Sequence, residues 1–551
     1  MLPALETLYG LSARDDPSFW RRALSWVGLS AAAEWATLYA VILGLAALRA
    51  GESTFVPLLL FLGASAIYYW SNLAANVLMR LRMNAVARRS VERIAARLHR
   101  LPLLGFESLG RGMLLTRLLG DGNRLAIAGR PIITLTSGLL NVVIAIVFIA
   151  SLSLEAAVVA SAVGLLVVAV SIGRLYRMSE GFSAIARDEA ELYEFLRDQH
   201  RGALAVRLHR PRAAALGGAY RAFSADLERT RVDIWSHHFE RQSAYTALVY
   251  GLLGINVFIL PLFAEIDSEL VRETNLAVLF LFYALVSIVF SLPKVIESAL
   301  ATERLEALNA SLDEEHLEPA EHTVGRGRFA DFSTLSLDEV SFAYPQRGRR
   351  GFSVGPLTAR LRRGEIVFIT GRNGSGKSTF LKILCGLYAA DTGAIRIDGA
   401  PVERDDLPHL RALFGTIFSD HFVFERVVDG DSPDVEDRAE ALFAEMGLAG
   451  KTALTGGRIT ERALSTGQLR RLAMVLTRLR DRPVLLFDEW AADQDPEFRA
   501  YYYELLLPAL RDAGKLVIAV THDDAHFGLA DRTLHLHNGR LVPAEPRSGG
   551  S

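Results

Sequence analysis

Six long apolar stretches in the first 300 residues constrain the fold of this chain more than any other feature. They run from Leu24 to Leu48, Phe55 to Leu78, Pro131 to Leu152, Glu155 to Ile172, Tyr245 to Phe263 and Leu276 to Ile296. A helix needs about 20 mainly apolar residues to cross the hydrocarbon core of a bilayer. A large buried helical domain of a soluble protein is a poor alternative for six such stretches. An α-helical membrane domain with six spans is therefore predicted.

The basic residues beside these spans predict their orientation. Seven arginines lie between Arg80 and Arg100, after the second span, and seven between Arg174 and Arg210, after the fourth. Lysine and arginine resist translocation, so both loops are expected in the cytosol. The other connections are short, and the one at residues 264–275 is mainly acidic. The N-terminus and the whole C-terminal region are then cytosolic as well. The long inner loops are patterned as helices, which predicts that the membrane helices extend into the cytosol.

Composition narrows the class of protein further. The chain is 51% hydrophobic and 22% charged, with the apolar runs concentrated before residue 300. A net charge of -2 gives no signal for a polyanionic partner, so nucleic acid is not expected. The single cysteine, Cys385, excludes an intrachain disulfide and is interpreted as a small buried helix residue. The first apolar run is too long for a cleavable signal, so it is expected to stay as an anchor.

A phosphate-binding motif dominates the C-terminal region. Short apolar strands such as Ile366 to Thr370, Val484 to Phe487 and Leu516 to Val520 alternate there with helical stretches, which predicts a parallel α/β sheet. The run Gly371-Arg-Asn-Gly-Ser-Gly-Lys377-Ser378-Thr379 follows the first of these strands directly. Glycines let backbone N–H groups surround phosphates at a helix N-terminus, Lys377 neutralises the β and γ oxygens, and Ser378 ligates Mg²⁺.

Two further strands end in groups suited to phosphoryl chemistry. The strand before Asp488 and Glu489 places one carboxylate to hold Mg²⁺ and the other to orient or deprotonate the attacking water. The third strand is followed by His522, which is placed to reach the γ-phosphate. Alone, each of these signals is weak; a polar strand edge is the ordinary alternative. After a phosphate loop in the same sheet they favour nucleotide hydrolysis.

Leu464-Ser465-Thr466-Gly467-Gln468, between the phosphate loop and Asp488, resembles the signature sequence of ABC transporters. With the other motifs in order, the C-terminal region resembles an ABC nucleotide-binding domain. The resemblance implies ATP and Mg²⁺, stacking of Tyr344 on adenine, and a homodimer in which Ser465 and Gly467 act on the partner's nucleotide. It also implies the type IV exporter fold. The resulting domains are a membrane domain at 1–310, a linker at 311–330, an ATP-binding domain at 331–545 and a flexible tail at 546–551.

The motifs and the resemblance together predict a complete set of site residues. Glu489 and His522 are expected in catalysis, and Ser378 and Asp488 as Mg²⁺ ligands. Nucleotide contacts are expected from Tyr344, Gly371, Asn373, Gly374, Ser375, Gly376, Lys377, Ser378, Thr379, Ser419, Ser465, Gly467, Gln468 and Asp495. Most ABC domains have Gln where this chain has Ser419, a hydroxyl that reaches the metal only through water. Its metal role is therefore left open.

Three segments are similar to the branch of ABC transporters that exports cyclic peptides, which includes pyoverdine-precursor, syringomycin and microcin exporters. They are Phe487 to Arg499, Phe352 to Leu357 and Thr521 to Phe527. The resemblance implies a half-transporter in the bacterial inner membrane, among lipids, that exports a cyclic or modified peptide such as a siderophore precursor. A lipid flippase, a siderophore importer on the same fold and a regulatory ATPase that moves nothing remain alternatives. Family analogy places the contacts between domains near Met113 to Asp121 and Pro211 to Arg221.

Glu34 lies inside the first predicted span. An ionisable residue at membrane depth is costly enough to suggest a function, either contact with a substrate or cation or pairing with a neighbouring helix. Asn72 and Asn141 are expected to form hydrogen bonds between helices. The substrate and the residues that contact it are not identified by the sequence.

Overall fold

The computed structural model describes residues 2–14, 16–109, 114, 116–172, 175–259, 268–314, 317–318, 328–345, 351–427 and 433–542. The chain divides into two compact units. The first comprises Met1–His99 and Ser108–Glu315, and the second comprises Arg100–Glu107 and His316–Ser551.

Helices account for the first unit. In chain order the helices up to residue 314 are α1 (Leu2–Ala13), α2 (Phe19–Ala50), α3 (Phe55–Leu98), α4 (Leu103–Ser108), α5 (Gly122–Ala126), α6 (Gly129–Leu152), α7 (Leu154–Ile172), α8 (Leu175–Arg201), α9 (Ala203–Leu208), α10 (Arg210–Gly254) and α11 (Ser268–Glu314). A π-helical turn at Thr116–Asp121 precedes α5, and another at Ile255–Ile259 follows α10.

Four helical segments within the described residues are long and apolar enough to cross a membrane. They are Phe19–Ala50, Phe55–Leu98, Arg117–Leu152 and Glu273–Leu312, and they confirm the first, second, third and sixth predicted spans. Helix α7 covers the fourth predicted span, and the end of α10 with its π turn covers the fifth as far as residue 259. Residues 260–263 of that fifth span lie outside the described residues.

The outer surfaces of these helices suit lipid. Val56, Trp70 and Val147 are 63%, 66% and 65% exposed. Soluble proteins rarely expose contiguous apolar patches of this kind, because the patches would associate in water. Helix α3 has 44 residues, which is about 66 Å at 1.5 Å per residue and about twice the hydrocarbon thickness. The predicted extension of the membrane helices beyond the bilayer is consistent with this length.

The second unit contains three sheets. Its strands are β1 (Thr334–Ala343), β2 (Ser353–Arg362), β3 (Ile366–Thr370), β4 (Thr392–Ile397), β5 (Ala400–Pro401), β6 (Phe414–Ile417), β7 (Leu454–Thr455), β8 (Arg458–Ile459), β9 (Val484–Asp488), β10 (Leu516–Val520), β11 (Arg532–His537) and β12 (Arg540–Val542). The central sheet has the order β12-β11-β3-β10-β9-β6, and all its pairs are parallel except β11 with β12. The predicted parallel sheet is confirmed, with one antiparallel edge strand.

A separate antiparallel sheet in the order β2-β1-β4-β5 was not predicted, and β7 and β8 form a short hairpin. The strands of this antiparallel sheet are harder to predict from the sequence because only one of their faces is apolar. In β1, for example, buried and half-buried positions alternate over the first four residues. The central strands are buried on both faces and therefore read as unbroken apolar runs, as in β3, where all five residues are buried.

Helices cover the central sheet on both faces. The helices of this unit are α12 (Lys377–Leu384), α13 (Leu407–Arg411), α14 (Pro433–Glu445), α15 (Thr466–Leu479), α16 (Pro496–Ala500) and α17 (Leu507–Asp512). Alternate residues of β3 enter two different hydrophobic clusters: Val367 and Ile369 one, Ile366 and Phe368 the other. Helix α12 packs in the first cluster and α15 in the second. This sandwich fixes the strand ends at which the phosphate loop and the acidic pair are found.

One segment between α3 and the π turn belongs to the second unit. Glu107 accepts hydrogen bonds from Lys382 Nζ at 2.9 Å and from the Tyr388 hydroxyl at 2.6 Å. Leu103 and Leu104 pack against the hydrophobic cluster that contains α12. The segment grouped with this unit is therefore Arg100–Glu107, which precedes the Met113–Asp121 region suggested by family analogy; Pro211–Arg221 lies in the first unit.

Candidate nucleotide site

The phosphate loop connects β3 to α12. Gly371 has a φ of +149°, and a Cβ atom there would lie 2.3 Å from the carbonyl oxygen of Leu536, so only glycine fits. Lys377 is the first residue of α12 and is buried. Its Nζ donates to the carbonyl oxygens of Gly371 at 2.9 Å and Arg372 at 3.3 Å. The ammonium group is thus folded back over the loop, where anionic oxygens would meet it together with the N-terminus of α12.

Two predicted metal ligands lie side by side at the end of this loop. The Ser378 hydroxyl donates to Asp488 Oδ2 at 3.4 Å. Neighbouring oxygen ligands of an octahedral Mg²⁺ with bonds of about 2.1 Å are about 3 Å apart. A hydroxyl and a carboxylate at nearly this spacing fit Mg²⁺ with little rearrangement. Among the described residues no group of three or more His, Cys, Asp or Glu side chains could hold a metal by itself. Nucleotide phosphates and water would have to supply the remaining ligands.

Asp488 is buried at the end of β9. Burial, and then the neighbouring charge of Glu489, raises the pKa of Asp488, and hydrogen bonds from the amide and hydroxyl of Ser419 and from Ser378 oppose that rise. Ser419, which follows β6 beside β9, therefore lies close enough to Asp488 to lower the pKa of that carboxyl. Whether Ser419 has a role toward the metal stays a prediction.

Glu489 and His522 meet at the ends of β9 and β10. Glu489 Oε1 lies 3.2 Å from His522 Nε2. Their side chains are 36% and 48% exposed respectively, so water and a substrate have access to both. A cavity of about 300 Å³ opens beside them and is also lined by Arg499, Tyr503 and Asp523. The distance between the two atoms is that of a hydrogen bond between a carboxylate and a histidine.

The backbone of Glu489 is in a left-handed conformation, with a φ of +52°. Such a conformation costs a non-glycine residue about 1–3 kcal/mol and persists only where its surroundings enforce it. Arg470, from α15, supplies that constraint. Its Nη1 donates to the carbonyl oxygen of Glu489 and, at 3.3 Å, to that of Trp490. Its Nη2 lies 3.0 Å from Asp493 Oδ2.

Trp490 forms a second hydrogen bond between this backbone segment and helix α15. Its indole Nε1 donates to the carbonyl oxygen of Arg470 at 2.9 Å, and its ring stacks on Tyr502 with centroids 4.7 Å apart. Trp490 is 1% exposed and Arg470 is 8% exposed. The two residues therefore fasten the start of α15 to the backbone that carries Glu489. Trp490 lies within the Phe487 to Arg499 segment that the sequence analysis selected. Arg470 was missed, because it lies 19 positions before Glu489 and matches no motif used to find the site.

The signature segment is shaped by capping interactions. Ser465 is the N-cap of α15: its hydroxyl accepts from the Gln468 amide at 3.4 Å, and Gln468 Oε1 accepts from the Ser465 amide at 3.1 Å. This reciprocal arrangement satisfies two otherwise free N–H groups at the helix start. Gly467 lies so close to the next segment that a Cβ atom would be 2.8 Å from the Asp493 carbonyl oxygen. Its own carbonyl accepts from Gln494 Nε2 at 3.2 Å.

Asp495 also has a local role. Its Oδ1 accepts from the Phe498 amide at 2.9 Å as the N-cap of α16, and Arg471 Nη2 donates to its Oδ2 at 2.6 Å. The amide of Phe498, and then Arg471, lowers the pKa of Asp495 below its usual value. Asp495 is therefore ionised and fixed close to the signature helix.

Tyr344, the predicted adenine contact, lies beside the phosphate-loop helix. Its hydroxyl is 3.0 Å from Thr379 Oγ1, and its ring meets the edges of Phe342 and Tyr388 at 5.1 and 5.7 Å. The ring is partly exposed. Ser375 is buried, and its hydroxyl has no hydrogen-bond partner within the described part of the chain. Asn373 and Gly374 occupy the exposed turn of the loop before it.

The structure brings together the phosphate loop, Asp488, Ser419, Glu489 and His522 at the carboxyl ends of β3, β6, β9 and β10. Ser465, Gly467, Gln468 and Asp495 form a second group at the start of α15 and α16. Among the described residues the hydrogen bonds of this second group stay within it or reach Arg471, Gln494 and Phe498. None of those bonds reaches the phosphate loop.

Comparisons with known proteins identify relatives of this chain. Residues 354–492 match the family described as ABC transporter. The protein named "ATP-binding protein SyrD" from Pseudomonas syringae pv. syringae is 38% identical over 299 residues, 53% of this chain and 53% of that protein. The protein named "Thiamine import ATP-binding protein ThiQ" from Brucella suis biovar 1 is 34% identical over 226 residues, 38% of this chain and 88% of that protein.

The fold also matches a solved structure described as a bacterial Atm1-family ABC exporter with ATP bound. The TM-score is 0.76 over 96% of this chain and 95% of that chain, at 18% sequence identity, so the likeness establishes the fold. The chain spans about half the length of SyrD. The phosphate loop, the signature and the acidic pair all lie within the matched residues 354–492, and ThiQ is matched over most of its length. The chain belongs to the ABC transporter family.

Proposed function

We propose that this chain is one half of a homodimeric, ATP-hydrolysing exporter that moves a cyclic or modified peptide out across the bacterial inner membrane. The observation that carries the ATPase part is the convergence of Ser378, Asp488, Glu489 and His522 at one sheet edge. The exporter part is supported by the exporter fold and by four apolar helices within the described residues. The N-terminus and the ATP-binding unit would face the cytoplasm.

The roles of the residues follow from their positions. Lys377 and the N-terminus of α12 would bind the terminal phosphates of ATP, and Tyr344 would contact the base. Ser378 and Asp488 would hold Mg²⁺, which when bound withdraws negative charge from the transferring phosphoryl group. Ser419 would keep Asp488 oriented through its hydrogen bonds.

Glu489 would accept a hydrogen bond from the attacking water, and His522 would hold the carboxylate and reach toward the γ-phosphate. The 3.2 Å contact between Glu489 Oε1 and His522 Nε2 keeps the carboxylate oriented before the substrate arrives. The carboxylate would assist mainly by aligning the water, because the phosphoryl transition state needs little proton removal at the start.

The homodimer is proposed from the arrangement of the signature. Ser465 and Gly467 lie in a group that makes no hydrogen bond to the phosphate loop within the described residues. In the family that the sequence resembles, the signature acts on the nucleotide of the other subunit. Two copies of this chain would build two equivalent sites.

A polar cavity favours a polar cargo over a lipid. The first unit holds a cavity of about 930 Å³ whose walls carry one carboxylate, two arginines and several asparagines. A path for acyl chains would be lined mainly by apolar groups. The lipid flippase and the siderophore importer remain the alternatives that transport experiments must exclude.

The test uses the full chain in proteoliposomes. Glu489→Gln should bind ATP with unchanged affinity and lose at least about 100-fold in turnover, since a positioned general base contributes about 10²–10⁴-fold. Glu504→Gln changes an exposed carboxylate of the same unit in the same way, so it is the matched control and should hydrolyse ATP normally. Turnover of Glu489→Gln near the wild-type rate would refute the assignment of Glu489. Stimulation by lipids and not by peptides would replace the peptide with a lipid as cargo.

A further inference from the structure

The cavity of the first unit is lined by polar residues that are regularly spaced along one helix. It is enclosed by α2, α3, α5, α6 and α11 and has a volume of about 930 Å³, near the upper end of the range for ligand sites. Its polar lining residues on α3 recur every four positions, at Tyr68, Asn72, Asn76, Arg80 and Asn84, and the apolar Leu73 and Val77 line it between them. Residues four apart lie on the same side of a helix. Over sixteen residues, about 24 Å, this membrane helix thus presents a polar residue to the cavity about once in every turn.

Glu34 of α2 is the only acidic residue that lines this cavity within the described part of the chain. Its Oε2 accepts one hydrogen bond, from Asn141 Nδ2 of α6 at 2.9 Å. The predicted role of Asn141 as a hydrogen-bond partner between helices is therefore confirmed for this pair. No lysine or arginine among the described residues forms an ion pair with Glu34.

A carboxylate has acceptor sites for about four hydrogen bonds, so one bond from Asn141 leaves most of them free. Glu34 is half-buried and opens onto the cavity. Ionisable side chains at membrane depth are costly and usually pair with another group. The group best suited to Glu34 is a cation with several N–H donors, such as a protonated amine.

The opposite charge lies at the cytosolic end of the same cavity. Arg80 of α3 and Arg130 of α6 line it there, and both are exposed. Neither has a carboxylate within ion-pair distance among the residues that the structure describes. Arg130 precedes Asn141, the partner of Glu34, by eleven residues on α6, which is about 16 Å along the helix. The cavity is therefore negative at its deep end and positive at its mouth.

We propose that Glu34 binds a protonated amine of the transported molecule, and that Arg80 and Arg130 bind an anionic group at its other end. Within the proposed class of cargo, this selects a short modified peptide that keeps a free amine and a carboxylate over one that is cyclised head to tail. A separation of about 16 Å corresponds to about five residues of extended chain at 3.3 Å per residue. A phospholipid headgroup carries its ammonium and phosphate much closer together and would not reach both ends. This inference rests on the proposed transport function.

The experiment measures equilibrium binding of radiolabelled pentaalanine to the full chain in nanodiscs of phosphatidylcholine, whose quaternary ammonium has no N–H donor. Pentaalanine should bind, and its N-acetylated form should bind about 10- to 100-fold more weakly, the range expected for losing a charged hydrogen-bonded pair. C-terminal amidation should weaken binding by a similar factor. These comparisons need no variant. Absence of pentaalanine binding, or equal affinities for the three peptides, would overturn the proposal.

Two variants then assign the ends of the cavity. Glu34→Gln should remove the preference for the free amine and leave the preference for the free carboxylate. The double variant of Arg80→Gln and Arg130→Gln should do the reverse. Glu52→Gln, an exposed residue outside the cavity, is the control and should behave as wild type. Unchanged peptide preferences in Glu34→Gln would contradict the assignment of Glu34. Displacement of pentaalanine by phosphatidylethanolamine would identify a lipid as the occupant instead.

Failure of this proposal can be told apart from failure of the transport function. If the wild-type chain hydrolyses ATP in a Glu489-dependent manner but binds none of the peptides, the cavity assignment alone is wrong. If no Glu489-dependent hydrolysis is found, the proposed function itself fails.

Discussion

Replacing Arg470 with leucine should separate the positioning of Glu489 from the binding of ATP. Arg470 donates to the carbonyl oxygens of Glu489 and Trp490 and pairs with Asp493, and it touches no part of the phosphate loop in the described hydrogen bonds. Its side chain is 10% exposed, so water replaces these contacts poorly. The substitution removes a constraint on the backbone that carries the carboxylate.

The size of the effect follows from these contacts. Two hydrogen bonds from a charged donor contribute about 1.5–3 kcal/mol each. The pair with Asp493 adds at most about 1 kcal/mol, because that carboxylate is 42% exposed. Burying a leucine side chain returns about 1.5–3 kcal/mol. From the middle of these ranges, the expected loss in the free energy of unfolding is about 3 kcal/mol.

Catalysis should suffer more specifically. Without the hydrogen bonds from Arg470, Glu489 can leave its left-handed conformation. A misplacement of a catalytic group by about 1 Å can lower the rate about 100-fold. The kcat for ATP should fall by about that factor with KM nearly unchanged. Arg470→Lys retains the charge but lacks the forked donors, so it should restore part of kcat. The assay is steady-state ATP hydrolysis by the full chain, with melting temperature as the measure of stability.

Arg478→Leu is the matched control. Arg478 lies on the same helix, eight residues further on, and pairs with Glu445 at 2.5 Å. Its loss should lower the melting temperature modestly and leave kcat intact. A kcat for Arg470→Leu within about threefold of wild type would refute the reasoning. So would an equal loss of kcat in both variants, since the effect would then reflect stability alone.

Three further predictions concern the same unit. Ser419→Ala should raise the Mg²⁺ concentration needed for half-maximal hydrolysis about fivefold, because the hydroxyl that helps to lower the pKa of Asp488 is lost, and a polar contact of this kind contributes about 1 kcal/mol. An unchanged Mg²⁺ titration would contradict it. Because the pKa of Asp488 is raised, its proton competes with Mg²⁺ at a higher pH than the proton of an ordinary aspartate does. The apparent Mg²⁺ affinity should therefore fall progressively as the pH is lowered from 8 toward that pKa. A pH-independent affinity would exclude this. Burial raises the pKa of Cys385 to about 12, so maleimide should label it at pH 7.5 only after denaturation; rapid labelling of the native chain would show that the thiol is accessible.

Features that depend on the residue pattern within a single strand or loop could be predicted from the sequence. The strand predicted at Ile366 to Thr370 has those limits in the structure, and Leu516 to Val520 does as well. Both strands are buried on both faces, so their sequences are apolar without interruption. The phosphate loop and the acidic pair were found because they follow such strands directly.

Helix α1 was not predicted for a different reason. Its sequence contains few charges and only a short apolar pattern before the first long span. The structure joins it to the rest of the helical unit through Ser12, whose hydroxyl accepts from Trp20 Nε1 at 2.9 Å and whose carbonyl accepts from Arg82 Nε at 2.7 Å. Those partners are 8 and 70 residues away, beyond any local periodicity.

Arg470 and Glu34 show which functional residues can be selected from the sequence alone and which cannot. Glu34 could be selected from the sequence because a carboxylate inside an apolar span is unusual in itself, whatever it touches. An arginine on an amphipathic helix is ordinary, and nothing local distinguishes Arg470 from Arg471 or Arg478. Only the folded chain shows that Arg470 is buried against the backbone of Glu489. Since Arg470 also lies two residues after Gln468, any movement of the signature segment would be transmitted to Glu489. In the proposed dimer, the nucleotide bound by the partner would therefore influence the catalytic carboxylate of this subunit.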